Sequence, residues 1–398
     1  MMTINAKDGK VIISLEGRID SNNAAQVEKE IFDIFGANEG KEMAFDAGKL
    51  EYISSAGLRV LLKAQKTKDK PITISNVSRD VYEIFETTGF VDLLDVKKAL
   101  RKVSLAGCEK IGSGGHGNVY RLDEETIVKI YHDNSPLDKI EKESEYAKNA
   151  FVHGVPSAIA YDVVETEEGL GLVFEMAGAT TVSKYIMEHP DKLQEYGVKL
   201  GRLLKTLNST EADPKLYGDI KQIYLDRVEQ AREFYTDEEI NQMIKMINSI
   251  PEGSGMIHGD FHTNNVMVQP DGELVLIDMA DISRGNAIYD IGGAFLTMYL
   301  SGMNNPDITR QVIGIDYEMS KQVWGVMLST YYGTTDPQKL EFIGKKLGSF
   351  ALLRMGTTVA LGARARQSAP GIIALLRQRL FPNTDGLCQL FAMPDITN

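Results

Sequence analysis

The chain has 398 residues, 43% of them hydrophobic, enough for two or three domains with cores of their own. Its 56 acidic residues outnumber 43 basic ones, and the formal net charge of −13 argues against nucleic acid or an anionic membrane surface as partner. Both reward an excess of Lys and Arg. No apolar stretch approaches membrane-spanning length, and the opening MMTINAKDGK carries no apolar signal core. Cys108 and Cys388 are the two cysteines, and no Cys/His cluster has zinc spacing. A reduced, cytoplasmic setting is the expectation.

In chain order, VIISLEGRID at Val11–Asp20 alternates like a strand. NAAQVEKEIFDIF carries apolar residues at helical spacing, Val27, Ile31 and Ile34–Phe35. A strand at Met43–Asp46, a helix over about 55–65, a strand at Pro71–Ser75 and a helix over about 78–87 follow. Such βα alternation at short spacing predicts a small α/β domain with helices packed on one sheet. Ser54 and Ser55 stand where a helix N-cap is expected, ahead of the stripe Leu58, Leu61 and Leu62.

The stretches LEGRID, FDAGKLEYISSAGLRVLL, ITISNVS and IFETTGFVDLL resemble the STAS domain of anti-sigma factor antagonists. The resemblance covers residues 1–103. It implies that Ser55, aligned with the family's helix-start serine, is a phosphoacceptor whose modification switches binding of an anti-sigma factor or similar partner. Ser54 stands where that family usually has Asp. A phosphate at Ser55 is tolerated by a helix N-terminus, yet it adds up to about two negative charges to an interface.

The junction ALRKVSLAG is short and apolar, so a second module is expected to begin at about Gly107. IGSGGHGNVY sets Gly112, Gly114, Gly117 and Val119 in G-x-G-x-x-G-x-V spacing. The run leads into the strand-like VYRL rather than a helix, which predicts a β-hairpin flap over phosphates. Lys129, in TIVKIY, lies on the next β-branched run, and a Lys buried there needs an anionic partner. Glu141, Glu143 and Glu145 on the following helical segment are candidates. Glu143 is preferred, eleven residues before the Gly154–Pro156 turn.

HGDFHTNNVMV at His258–Val268 then places Asn265 five residues after Asp260, and LIDMAD places Asp278 after an apolar run. Phosphoryl transfer needs a carboxylate at the attacking hydroxyl and oxygen ligands on Mg²⁺. Asp260 suits the first task; Asn265 and Asp278 suit the second. The spacing thus predicts an ATP- and Mg²⁺-dependent phosphotransferase.

From about Gly107 onward these motifs resemble the aminoglycoside phosphotransferase and choline kinase branch of the protein-kinase-like fold. HGDFHTNN matches its H-G-D-x-H-x-x-N loop, and RGNAIYDIGG resembles its G-x-P-x-x-D segment with Ala287 in place of proline. The resemblance implies an α+β bilobal domain over 107–398, with an N-lobe at 107–177 and a C-lobe at 178–398. It implies that backbone groups near Glu175 and Ala177 bind adenine, that Asp290 braces the catalytic loop, and that Asp281 helps with a second metal. No A-P-E-like segment follows Asp278, which favours a small-molecule hydroxyl as acceptor over a protein.

Three further stretches read as scaffold. Asp226–Ile247 reads as a pair of charged helices with a solvated face, Trp324, Leu328 and Tyr331 as a core stripe, and Arg364 and Arg366 as residues without a site role.

Overall fold

The computed structural model describes residues 4–7, 10–114, 117–132 and 135–394. The chain divides into two compact units, Met1–Ser104 and Leu105–Asn398.

In the first unit β1 (Ile4–Lys7) pairs antiparallel with β2 (Lys10–Ile19). β2, β3 (Glu42–Ile53), β4 (Thr73–Val77) and β5 (Asp95–Lys98) run parallel, in that order. The crossovers use α1 (Ala24–Ala37), α2 (Ser55–Gln65) and α3 (Arg79–Thr87), and a two-residue strand, β6 (Arg101–Lys102), ends the unit. Val11, Ile13 and Leu15 on β2 alternate into a core with Ile31, Phe45, Ile74 and Phe85. β3 is longer than the alternation at Met43–Asp46 suggests. It carries one residue more than β2 does opposite between Asp46 and Lys49, and another between Leu50 and Tyr52, so the inward set shifts from Met43, Phe45 and Ala47 to Leu50 and then to Ile53. Such bulges break the period of two while the strand goes on.

The second unit opens with β7 (Glu109–Ser113), β8 (Gly117–Arg121), β9 (Thr126–Tyr131), α4 (Leu137–Val152), β10 (Ala160–Thr166) and β11 (Gly169–Glu175). These strands lie antiparallel in the order β10–β11–β9–β8–β7. A helical part follows: β12 (Thr180–Thr181), α5 (Val182–Glu188), α6 (Leu193–Ser209), α7 (Ile220–Gln230) and α8 (Asp237–Ser249). Four short strands come next, β13 (Gly255–Ile257), β14 (Val266–Val268), β15 (Leu274–Leu276) and β16 (Ser283–Gly285). The chain closes with α9 (Ile288–Phe295), α10 (Ser301–Asn304), α11 (Asp307–Ile313), α12 (Tyr317–Tyr332), α13 (Pro337–Thr357), α14 (Ala363–Arg379) and α15 (Thr384–Ala392).

Two small ladders, β13 with β16 and β12–β14–β15, frame the loop 258–265 and the turn at Asp278. The aromatic stripe on α12 is core: Trp324 and Leu328 are buried, and the Trp324 ring packs 5.4 Å from Phe295. Arg366 faces Glu233 in an exposed ion pair at 2.6 Å.

α6 and α12 pack closely because Gly201 has no side chain. A Cβ there would stand 2.6 Å from the Met327 carbonyl oxygen and 2.8 Å from Thr330 Cβ, whereas one at Gly325 on the same helix pair would meet nothing within 4 Å. Gly201→Ala should therefore lower stability by about 1–3 kcal/mol. Gly325→Ala should be neutral or stabilising by up to about 1 kcal/mol. Denaturant unfolding of the two variants compares them, and equal effects would contradict this packing.

Candidate active site

Lys129 sits in the middle of β9, with Val119 of β8 directly opposite it. Its ammonium donates to Glu143 Oε1 at 2.8 Å and to Asp278 Oδ1 at 2.7 Å. Glu143 comes from α4 and is buried, and the Lys129 side chain is only 12% exposed. Burial works against the Lys129 charge, but Glu143 and Asp278 outweigh it and raise the pKa above the ordinary lysine value. Of the three glutamates considered on this segment, Glu143 is the one that reaches Lys129.

The glycine run forms the β7–β8 hairpin, with Gly112 paired to Val119. Gly115 and His116 lie outside the described residues. Gly114 donates its N–H to the Gly117 carbonyl at 2.9 Å, and a Cβ on Gly114 would meet nothing within 4 Å. Gly117 has a different constraint: a Cβ there would fall 1.9 Å from the Ile130 carbonyl oxygen. No other residue lets β8 lie this close to β9, the strand that carries Lys129.

After β11, the Glu175 N–H is taken by the Ile159 carbonyl at 3.0 Å and the Met176 N–H by Glu125 at 2.7 Å. Among the described residues nothing accepts from the Ala177 N–H. A backbone donor is thus left open at this crossing.

The loop after β13 is built around a buried carboxylate. Asp290, near the start of α9, accepts from the His258 N–H at 2.8 Å, the Gly259 N–H at 2.7 Å and Asn208 Nδ2 at 2.8 Å. Burial pushes its pKa up while these donors pull it down. Tyr331 continues the network, its hydroxyl donating to Asn208 Oδ1 at 3.2 Å. Arg354 on α13 holds the same loop from another side, donating to the Gly259 carbonyl at 2.9 Å and contacting the Tyr224 hydroxyl at 2.7 Å.

Asp260 emerges from this frame. Asn265 Nδ2 donates to its backbone carbonyl at 2.9 Å and lies 3.4 Å from Oδ2, and His262 Nε2 lies 3.5 Å from Oδ2. Partial burial favours its neutral form, but His262, His258 and Arg354 outweigh that and hold the carboxyl below the usual aspartate range. Because Asn265 donates through Nδ2, its Oδ1 is turned elsewhere, without a hydrogen bond among the described residues. Asp278 adopts φ +62°, a left-handed conformation uncommon for a residue with a side chain. The amide oxygen of Asn265 and the carboxylate of Asp278 are hard oxygen donors, few in number, which is the kind of protein set Mg²⁺ accepts while phosphates and water fill its other positions.

A cavity of about 390 Å³ opens beside Asp260, with Arg227, Asp281 and Arg354 in its wall. The two arginines were missed from the sequence. Arg227 falls within a stretch read as a solvated helix pair, and its inward turn is the correction. The signal was present: Ile220, Ile223, Tyr224, Arg227 and Val228 fall at i, i+3, i+4, i+7 and i+8, the apolar face of α7.

In Met1–Ser104, Ser54 caps α2, its Oγ accepting from the Ala56 and Gly57 N–H groups at 3.2 and 3.4 Å. Ser55 is the first helical residue and is exposed. Its hydroxyl has no hydrogen-bond partner among the described residues.

Residues 107–328 match the model of the phosphotransferase enzyme family, and residues 1–103 match that of the STAS domain. A Bordetella bronchiseptica protein described as an anti-sigma factor antagonist, BtrV, is 32% identical over 108 residues, 26% of this chain and 92% of that one. An anti-sigma-B factor antagonist of Listeria monocytogenes is 28% identical over 88 residues, 21% of this chain and 76% of the relative. Among solved structures, the streptomycin-ATP-APH(2")-IIa ternary complex aligns over 72% of this chain and 93% of its own, with 16% identity and a TM-score of 0.47. Plasmodium vivax ethanolamine kinase aligns over 70% and 84%, with 10% identity and a TM-score of 0.46.

The Lys129 ion pairs should be strongly coupled. Lys129→Met leaves Glu143 buried without its cation and should cost about 3–5 kcal/mol in denaturant unfolding. Adding Glu143→Leu should cost less than the sum of the single changes, and strict additivity would contradict direct pairing.

Proposed function

The chain belongs to the phosphotransferase enzyme family and carries a STAS domain ahead of it, and on that premise we propose that it transfers the γ-phosphoryl group of ATP to a hydroxyl of a small molecule. The observation that carries this reading is the pairing of Lys129 with both Glu143 and Asp278, with Asp260 and Asn265 joined on the loop that follows β13. Residues 107–177 act as the small lobe and 178–398 as the large one.

Each role follows from the group's chemistry. The hairpin of Gly112, Gly114 and Gly117 covers the phosphates, with Val119 flanking the base. Ala177 offers its open N–H to adenine, beside the backbone of Glu175. Lys129, held by Glu143, positions the α- and β-phosphates. Asn265 and Asp278 hold Mg²⁺, which supplies charge neutralisation on the phosphate oxygens when bound. Asp260 orients the acceptor hydroxyl and accepts its proton. His262, His258 and Arg354 favour the ionised form of Asp260, the form that can accept a proton.

General-base help is worth about 10²–10⁴ in rate. Asp260→Asn should cut turnover by that order in an ADP-release assay while Mg·ATP still binds. Undiminished turnover would remove Asp260 from the mechanism.

A second reading concerns the STAS domain as a phospho-switch toward an anti-sigma factor or similar protein. The observation favouring it is the division of labour at α2: Ser54 does the capping, and Ser55 stands exposed with an unengaged hydroxyl. Phosphopeptide mapping after incubation with Mg·ATP, beside Asp260→Asn and Ser55→Ala, distinguishes the cases. Phosphate on Ser55 that depends on Asp260 makes the chain its own switch kinase and displaces the small-molecule acceptor. Unmodified Ser55 in a protein that binds Mg·ATP supports the small acceptor.

A further inference from the structure

Two guanidinium groups line the cavity beside Asp260. Arg227 enters from α7 and lies over the Tyr224 ring, 5.3 Å from its centroid. Among the described residues its N–H groups make no hydrogen bond and no ion pair. Arg354 enters from α13, and its hydrogen bonds go to neutral oxygens, the Gly259 carbonyl and the Tyr224 hydroxyl. Among the described residues neither guanidinium is hydrogen-bonded to a carboxylate. Asp260 and Asp281 also line the cavity, and both act on the arginines only through space.

Arg227, withdrawn from water and hydrogen-bonded to no carboxylate among the described residues, is costly to maintain. At Arg354, by contrast, burial is outweighed by Tyr224, Asp260 and Asp290, which raise the pKa. Burial and the neighbouring Arg354 both depress the pKa of Arg227, burial being the larger effect. If Arg354 only braced the loop, its neutral hydrogen bonds would suffice, and Arg227 would have no task. An anion entering the cavity gives both groups charge-assisted partners. Such an anion also fixes the orientation of the molecule that carries it, with its hydroxyl toward Asp260.

We propose that the acceptor is a small hydroxyl compound bearing an anionic group, carboxylate or phosphate, which Arg227 and Arg354 bind in the cavity beside Asp260. This inference rests on the phosphotransferase reading above and adds the charge class of the acceptor. Arg227 is the specificity residue, and Arg354 both contacts the anion and positions the catalytic loop.

Calorimetric titration tests it on the full chain. Binding of Mg·ATP alone is measured first, since its absence would defeat the phosphotransferase reading itself. Glycerate and glycerol 3-phosphate are then titrated against glycerol and kanamycin in the presence of Mg·ADP. One or both acids should bind at least about 10-fold more tightly than glycerol or kanamycin, a difference of about 1.4 kcal/mol. Glycerate and glycerol 3-phosphate separate the carboxylate from the phosphate. Arg227→Met should remove the margin and Arg227→Lys restore part of it, with thermal unfolding confirming that each variant folds. Kanamycin binding as tightly as the acids, neither acid exceeding glycerol, or a margin that survives Arg227→Met would overturn the proposal.

Discussion

One ammonium group ties three distant elements of the phosphotransferase unit together. Lys129 from β9 meets Glu143 from α4 and Asp278 from the turn between β15 and β16, so three elements far apart in sequence converge on one charge. The arrangement is stable only as a set. Remove the lysine and a carboxylate is stranded in the interior; remove Glu143 and the lysine is half-satisfied in a strand. The left-handed backbone at Asp278 belongs to the same constraint, since it turns the chain immediately after β15.

A second, quieter constraint acts on the other half of the centre. Asp290 ties the backbone amides of His258 and Gly259, and Arg354 ties the Gly259 carbonyl, so residues next to Asp260 are held on both sides of the chain. Asp260 itself keeps a partly open carboxylate within that rigid frame. Fixed backbone with one accessible, ionised group is what positional catalysis asks for. The resemblance-based expectation for Asp290 as a brace agrees with these bonds. Asp290 does not itself line the cavity beside Asp260, but it holds Gly259, which does.

Much of this was legible in the sequence because the motifs are local. Gly112 to Val119 is a single hairpin, and Asp260 to Asn265 is a single loop. The pairing of Lys129 with Glu143 spans a strand and the next helix, close enough for spacing to single out one glutamate of three. What spacing could not reach was tertiary. Arg227 and Arg354 stand 127 residues apart, on α7 and α13, and only packing of both helices around the loop makes them neighbours of Asp260. In the first unit, β3 outran its alternation because a bulge changes the period without ending the strand. The two serines at α2 could be placed at a helix start from sequence, but which one caps was settled by the side-chain geometry of Ser54.

On the proposed reading, Lys129, Asn265 and Asp278 form a nucleotide–metal centre. Titrating ATP into the full chain with and without Mg²⁺, beside Asp278→Ala, tests it most directly. Tight binding that requires Mg²⁺ is expected in the natural chain, with loss of that metal dependence in the variant. Binding of ATP that ignores both Mg²⁺ and the removal of Asp278 would contradict it.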